Sequence, residues 1–542
     1  MKEFLRKLGQ KKAFWISLVI VLQTVVYMVA GMGKAYMHMD EAYSMALANY
    51  DKIQIQENED FYNQWHTAEY YRDYLVVNEG EQGDLAPVYN NQRDDVHPPI
   101  FYLLLRLGME LTPEKFTKWT GIILNILAFA VGSTFLYLIV EKLLADEEQR
   151  LVKAAVLTLV ASITMAALST VIYIRMYAML TMWVTIAAYL HLKLTEKKQA
   201  NWGLLVGIAV VTLLGFLTQY YYLFFIVPVC VVMIVRYVRG KRWKELWSYL
   251  GVLATAGVVS LVVWPHSIQH LFFGYRGQGA IGNLLNIGNM MEQVGIFVGI
   301  LVKYAFNYLL PVILIAMFAL MAVGLRRGKR LEVSEREMRS FTTLIWPVIF
   351  FFVIAAVMSP FMDLRYIEAI CGLAFVLTMV GLYWLVRMFA EEKGRNIVMG
   401  AVLVLTTVMP LPMKLEPDVT YSRWAEVVAK VEENHAAPAL YLFNGGNNRF
   451  LDDILLFTEL DESYVMQVEN DEGAEMKPEE YYTTKRIGEV LKGKDLAEGL
   501  WVFSNYGYGE ANRGYLEVIE EVTGLEEVYN FRLNSGEVYL LK

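Results

Sequence analysis

Charge is what this chain has least of: Asp, Glu, Lys and Arg make up 19% of its 542 residues, against 56% hydrophobic ones. That balance excludes an ordinary soluble protein of several domains and leaves a polytopic membrane protein. Cysteine is nearly absent, and Cys230 and Cys371 both lie in apolar runs. They read as small buried hydrophobes, which excludes a disulfide framework or a thiolate metal site. There is no HExxH and no paired-Cys spacing, so no metal ligand is assigned, no cofactor is expected to be required, and a divalent metal is unsupported. No internal repeat occurs, and Gly445-Gly446 stands without a wider glycine pattern, as a plain turn would. The net charge of −8 comes from acidic residues in the first loop and the C-terminal tail, while Lys and Arg sit between apolar runs; nothing points to nucleic acid.

What is present is a series of apolar runs. Lys2, Arg6, Lys7, Lys11 and Lys12 precede Ala13 to Ala30, long enough to cross a hydrocarbon core and expected to stay as a signal-anchor. Further spans are predicted at 118–144, 151–172, 175–195, 202–218, 220–238, 248–265, 306–325, 340–358, 367–389 and 397–412, about eleven in all with the first. Alternation from an inside N-terminus places Lys197/Lys198, Arg236 to Lys244, Arg326 to Arg330 and Lys393/Arg395 on the cytoplasmic side, as the positive-inside rule requires. The expectation is a multi-pass protein of the cytoplasmic membrane, its N-terminus cytoplasmic and its site and C-terminal domain extracytoplasmic.

The polar insertion 31–99 carries Phe61, Tyr62, Trp65, Tyr70, Tyr71 and Tyr74, which suggests helices lying on the membrane surface. His97-Pro98-Pro99 then restricts the backbone before a short interfacial helix, Ile100 to Leu107. Residues 1–412 are read as the membrane domain, with 413–542 as a small extracytoplasmic α/β domain. Strands are expected at 439–443, 464–468 and 500–503 and in a terminal hairpin at 529–533 and 538–541. Helices are expected at 421–433, 449–458, 484–497 and 512–523.

The polar residues that stand out gather at the predicted outer ends of spans. Asp40-Glu41 follows the first span, where two carboxylates are costly unless solvated or at work; Asp40 offers either a general base or an N-cap for a helix over Glu41 to Asn49. His97 is a turn residue or, near a lipid phosphate, a hydrogen-bond donor or cation, and Asp94 and Asp95 beside it form a solvated loop or, with it, a metal site. Arg175 and Arg365 are permanent cations where the positive-inside rule disfavours them, suited to bidentate contact with phosphate. The plain alternative for Arg365 is an ion pair with Asp363 or Glu368. Arg276, in the loop after Trp264-Pro265-His266, is a weaker candidate of the same kind, and that loop is a natural lid.

In order, these markers are Asp40-Glu41-Ala42-Tyr43, Val96-His97-Pro98-Pro99-Ile100-Phe101-Tyr102, Arg175-Met176-Tyr177-Ala178, Leu217-Thr218-Gln219-Tyr220-Tyr221, Trp264-Pro265 and Arg365-Tyr366. Together they resemble the bacterial branch of the protein-mannosyltransferase-like glycosyltransferases, the family 39 group of the C-type membrane fold, related to the lipid A aminoarabinose transferases. The resemblance covers roughly residues 1–412. It implies a polyprenyl-phosphate-linked single sugar as donor, a hydroxyl acceptor on protein, wall polymer or glycolipid, and transfer with inversion on the outer face. It also implies Asp40 as catalytic base with Glu41 its partner, and His97, Arg175, Tyr177, Arg365 and Tyr366 near the donor phosphate. Gln219 departs from the pattern, since relatives often place a histidine there. A lipid-linked-sugar flippase or transporter is the alternative, and a bare membrane anchor a third reading.

Overall fold

The computed structural model describes residues 10–50, 55–443, 450–467, 482–505 and 510–542; Lys2, Arg6, Lys7, the Gly445-Gly446 turn and Val468 lie outside them. The chain divides into two compact units. One comprises residues 1–32, 92–101 and 121–418, the other 33–91, 102–120 and 419–542.

The first unit is helical. Its helices are α1 (Lys12–Gly33), α2 (Trp119–Leu143), α3 (Arg150–Ser162), α4 (Met165–Ile172), α5 (Tyr177–Thr195), α6 (Trp202–Thr218), α7 (Leu223–Arg239), α8 (Trp243–Val263), α9 (Tyr275–Leu285), α10 (Ile287–Phe306), α11 (Leu310–Arg326), α12 (Glu335–Met358), α13 (Glu368–Arg387) and α14 (Glu392–Val408). Among the described residues seven helices are long and apolar enough to cross a membrane, or up to nine if each of two bent pairs, α3/α4 at 60° and α9/α10 at 104°, is one span. A helix needs about 20 apolar residues to span the core, which sets α6 and α11, at 17 residues each, just short of it. Each of the eleven predicted segments nevertheless has a helical counterpart.

Ion pairs gather at one end of these helices. Lys142 meets Glu196 (2.6 Å), as does Arg336 (3.4 Å). Glu147, almost fully buried, takes Arg387 (2.8 Å), Lys153 (3.0 Å) and Arg395 (3.5 Å), and Lys153 reaches Glu392 (3.2 Å). Lys12 pairs with Glu141, and Lys329 donates to the Met388 carbonyl (2.6 Å). The starts of α1, α3, α12 and α14 and the ends of α2, α5, α11 and α13 therefore share this end. Because α8 leaves it and α11 returns to it, residues 264–309 begin and finish at the opposite end. The α9/α10 pair, bent by 104°, lies between these two points of the chain. This corrects the expected loop over 266–305: the polar start Gly288-Asn289 and Glu292-Gln293 dilutes the apolar signal of α10, but the stretch is helical.

The second unit is an α/β layer. Its sheet has the order β1-β3-β2-β4-β6-β5, with β1 Trp65–Thr67, β2 Ala439–Phe443, β3 Glu462–Gln467, β4 Leu500–Ser504, β5 Glu527–Arg532 and β6 Glu537–Leu541. The three central strands are parallel. In β2 and β4 every residue is buried, as continuous apolar runs such as Ala-Leu-Tyr-Leu-Phe require of strands covered on both faces. The edge strand β5 alternates instead. One strand was not legible: Trp65–Thr67 lies in the insertion read as surface helices, yet pairs antiparallel with β3. Three residues are too few for a period of two to register. Helices at Ala68–Asp73 and Ala86–Asp94 occupy part of the rest.

Behind the sheet, Asp453 on the helix Phe450–Phe457 is buried and accepts from Tyr441 (3.0 Å) and Ser535 (2.5 Å). Burial pushes its carboxyl well above the usual range and the neighbouring Asp452 adds to this, against the Ser535 and Tyr441 hydrogen bonds. The folded state thus holds a proton that the unfolded chain releases near pH ~4, so this contribution is complete below that pH and is lost as pH rises through the folded value. Asp453→Asn removes the slope. Thermal unfolding of the full chain at pH 4 and pH 8 should show the variant gaining on the parent at the higher pH; a difference independent of pH would contradict the protonated state.

Candidate functional site

The first unit carries a cluster of cations and aromatic rings at the end remote from its ion pairs. Arg175 lies in the break between α4 and α5, and α2 shapes that break. A Cβ on Gly121 would fall 2.0 Å from Ile174 Cγ2, so only glycine lets α2 approach this closely. Four residues along, one turn away, Asn125 Nδ2 donates to the carbonyls of Val171 (3.1 Å) and Tyr173 (2.7 Å), which α4 leaves free where it ends. The Arg175 N–H also donates to the Tyr173 carbonyl (2.7 Å).

Arg365 sits in the single turn Leu364–Tyr366 between α12 and α13. Its Nη1 donates to the Tyr173 hydroxyl (3.0 Å) and its Nη2 pairs with Asp363 (3.0 Å). Its guanidinium stands over Phe361 (5.8 Å) and Tyr366 (5.2 Å), and Arg276 stands over the same Phe361 (5.2 Å). Tyr177 stacks on Tyr173 with rings 6.0 Å apart and 8° from parallel, and Tyr221 lies against Tyr366 (5.6 Å). Arg365 and Tyr177 therefore meet at Tyr173, Tyr366 lies against Arg365, and Arg175 is tied to Tyr173 through its backbone. The ion pair with Asp363 is present as well.

His97 belongs to the same unit. Its Nδ1–H donates to Asp95 (2.7 Å), whose side chain is 6% exposed. Burial would raise the Asp95 carboxyl, but the charge and hydrogen bond of His97 and the charge of Arg175 outweigh it and hold the group below its ordinary value. Asp95 thereby ties His97 to Arg175 electrostatically. Asp94 is taken by Arg93 through two hydrogen bonds (2.9 and 2.8 Å). Among the described residues no group of three or more His, Cys, Asp or Glu side chains is placed to hold a metal.

Trp264 packs with Phe216, Leu217 and Tyr220, and Ile100, which follows the double proline, packs against them. Tyr220 hydrogen-bonds His270 Nδ1 (2.9 Å), and His270 Nε2 bonds the Arg93 carbonyl (3.1 Å). Burial holds His270 below the usual imidazole value. Gln219, the departure from the family pattern, is buried between α6 and the turn Tyr220–Tyr222.

Asp40 and Glu41 lie in the second unit, in the first turn of the helix Met39–Asn49. The N-cap is His38, whose Nδ1 accepts from the Asp40 N–H (3.0 Å) while Glu41 accepts from the His38 N–H (2.7 Å). This capping box corrects the reading of Asp40 as the cap: with His38 in that role, the Asp40 carboxylate is left 24% exposed in the first turn. A carboxylate is favoured there by the helix dipole. His38 Nδ1 is 3.8 Å from it.

Glu41 is fully buried and pairs with Lys34 (2.9 Å), which also donates to the Val419 carbonyl (2.7 Å). Lys118 donates to the Lys34 carbonyl, and burial first, then repulsion from Lys34, lowers its amine. Either Lys34→Met or Glu41→Met strands a buried charge, with an expected loss of about 3–5 kcal/mol, whereas the double replacement should recover much of it. Thermal unfolding of the three variants checks this, and additive losses would mean the two groups are not coupled.

Sequence reasoning missed Tyr173, Phe361, Lys34 and Lys118. Tyr173 and Phe361 carry no charge to mark them. Lys34 did leave a signal, a lysine on the side where the positive-inside rule disfavours one.

Apolar helices with their ion pairs at one end and an arginine-aromatic cluster at the other, joined in the chain to a small α/β layer, define a multi-pass membrane protein of the C-type glycosyltransferase fold. The crystal structure of ArnT from Cupriavidus metallidurans bound to undecaprenyl phosphate has this fold: its TM-score is 0.52 at 12% identity, over 97% of this chain and 98% of that one. ArnT in the apo state gives 0.49 at 12% identity, over 97% of each chain. Residues 96–264 match the family model described as dolichyl-phosphate-mannose-protein mannosyltransferase, which bears out the resemblance read from the sequence. His97, Arg175 and Tyr177 fall inside the matched stretch, and Asp40 and Arg365 outside it. No curated protein matches the chain significantly in sequence.

Proposed function

We propose that this chain is a membrane glycosyltransferase that moves one sugar from a polyprenyl-phosphate donor to a hydroxyl on protein, wall polymer or glycolipid, at the outer face of the cytoplasmic membrane. The observation that carries the proposal is Arg365 hydrogen-bonded to the Tyr173 hydroxyl, with Tyr177 stacked on the Tyr173 ring, Arg175 two residues further along the chain and His97 held by Asp95; His97, Arg175 and Tyr177 lie in the stretch that matches a family described as using dolichyl-phosphate mannose. The undecaprenyl phosphate bound by ArnT supports a lipid phosphate as the group these cations hold.

The chemistry follows from the residue types. Asp40 takes the proton of the acceptor hydroxyl as its oxygen attacks the anomeric carbon, with Glu41 fixing the turn that carries Asp40. The bond from that carbon to the phosphate oxygen breaks, and the electron pair leaves with the phosphate. Attack from the face opposite the leaving group inverts the centre. Lipid phosphate is a weak base and departs without a general acid; what it needs is positive charge, which Arg175, Arg365 and His97 supply alongside Tyr177 and Tyr366. No cofactor enters this scheme. The ion-paired end with its basic loops faces the cytoplasm under the positive-inside rule, and the arginine-aromatic end faces outward.

Membranes containing the chain, given polyprenyl-phosphate carrying a radiolabelled sugar, should transfer label to envelope material, and membranes lacking it should not. Label that crosses the bilayer but remains on the lipid would instead identify a flippase.

A further inference from the structure

At the ion-paired end of the first unit, α7 and α12 border a cleft of about 1050 Å³ that the transfer scheme does not use. Its walls are apolar: Val227, Val231 and Val235 come from α7, Trp346 and Phe350 from α12. Val231 is 54% exposed and Trp346 52%. Apolar side chains this open, within helices that cross a membrane, face acyl chains.

The polar end of the cleft is cationic. Arg236, Arg239, Arg242 and Arg339 line it, and no carboxylate does so among the described residues. Arg236 bridges the two helices, its Nη2 donating to the Arg339 carbonyl (3.0 Å) and the Thr342 hydroxyl (2.9 Å). Arg339 pairs with the exposed Glu335 (2.5 Å), and Arg242 lies 3.7 Å from Glu245. The four guanidiniums thus outnumber the two carboxylates beside them. From Arg239 to Val227 the helix rises about 18 Å, close to the depth of one hydrocarbon leaflet, about 15 Å. Length, apolar walls and a guanidinium rim match a phospholipid with a phosphate at one end and chains along the rest. The surplus positive charge disfavours a headgroup that brings its own ammonium and favours an anionic one.

We propose that the cleft between α7 and α12 binds one anionic phospholipid, its phosphate held by Arg236, Arg239 and Arg339 and its chains lying along Val231, Trp346 and Phe350.

The test is to titrate the full-length protein, purified in dodecyl maltoside, with dioleoylphosphatidylglycerol or dioleoylphosphatidylcholine and to count bound lipid by native mass spectrometry. One phosphatidylglycerol should be retained with about tenfold preference, on the scale of one or two basic residues at a membrane surface. R236Q/R239Q/R339Q should bring the ratio close to one, and the corresponding lysine variant should keep part of it. Should the glutamine variant fail to fold, Val231→Trp fills the cleft without touching the arginines and should lower phosphatidylglycerol retention by a similar factor. Glycerol phosphate, a headgroup without chains, should not displace the lipid. Equal retention of the two lipids by the parent protein, an unchanged preference in both variants, or displacement by glycerol phosphate overturns the proposal.

Discussion

Asp40→Asn is expected to lower sugar transfer by about 10²-fold or more, the contribution of a positioned general base. Asparagine has nearly the same shape and hydrogen-bonds through the same positions, but it cannot accept the acceptor's proton at neutral pH. The substitution also separates the two roles the residue has been given. Asparagine is as good an N-cap as aspartate, so a capping residue would tolerate the change. With His38 in the cap and Asp40 one-quarter exposed in the first turn, the stability cost should be small and the loss should fall on kcat with little change in KM for the donor. Initial rates in proteoliposomes, beside an unfolding curve for each protein, make the comparison. Parent-like turnover would remove Asp40 from the chemistry.

Arg365→Gln and Arg175→Gln should each cost about 10²- to 10³-fold in transfer, the scale for removing one donor aimed at developing negative charge. Arg365→Lys should restore only part, because an ammonium presents a point charge where the guanidinium presents a planar fork. Arg365 also pairs with Asp363 and donates to Tyr173, so a loss in Arg365→Gln alone is open to a structural cause. Tyr173→Phe deletes only the hydroxyl that Arg365 bonds, and should cost less than about tenfold if that bond merely orients the side chain. A loss in Tyr173→Phe equal to that in Arg365→Gln would assign the arginine a structural role and remove it from the phosphate.

How far the sequence was legible follows a physical line. Apolar length and basic loops are long-range averages over twenty residues, so every predicted span has its helix and the basic loops share one end. Arg175 and Arg365 stood out because a cation at the bare end of a span violates a strong statistical rule. His97 stood out only through the double proline after it, and its partner Asp95 looked like any solvated loop residue. Tyr173, whose hydroxyl holds Arg365, was invisible because tyrosine is ordinary at membrane interfaces. The helix α10 failed for the opposite reason: its polar first turns dilute an average that one apolar face would satisfy. Trp65–Thr67 failed because a three-residue edge strand is defined by its partner β3, nearly 400 residues away, and no local pattern encodes that pairing. The capping box at His38 shows the same limit on a smaller scale, since histidine is an uncommon cap and Asp40 beside it a common one.

The most direct test of the proposed transfer is made with purified protein in proteoliposomes, a synthetic polyprenyl-phosphate sugar of known anomeric configuration and a hydroxyl acceptor drawn from envelope extract. Free polyprenyl monophosphate and sugar-modified acceptor should accumulate one for one, with the opposite anomeric configuration in the product by NMR. Acceptor left unmodified while the donor persists intact, or a product that keeps the donor's configuration, would contradict it.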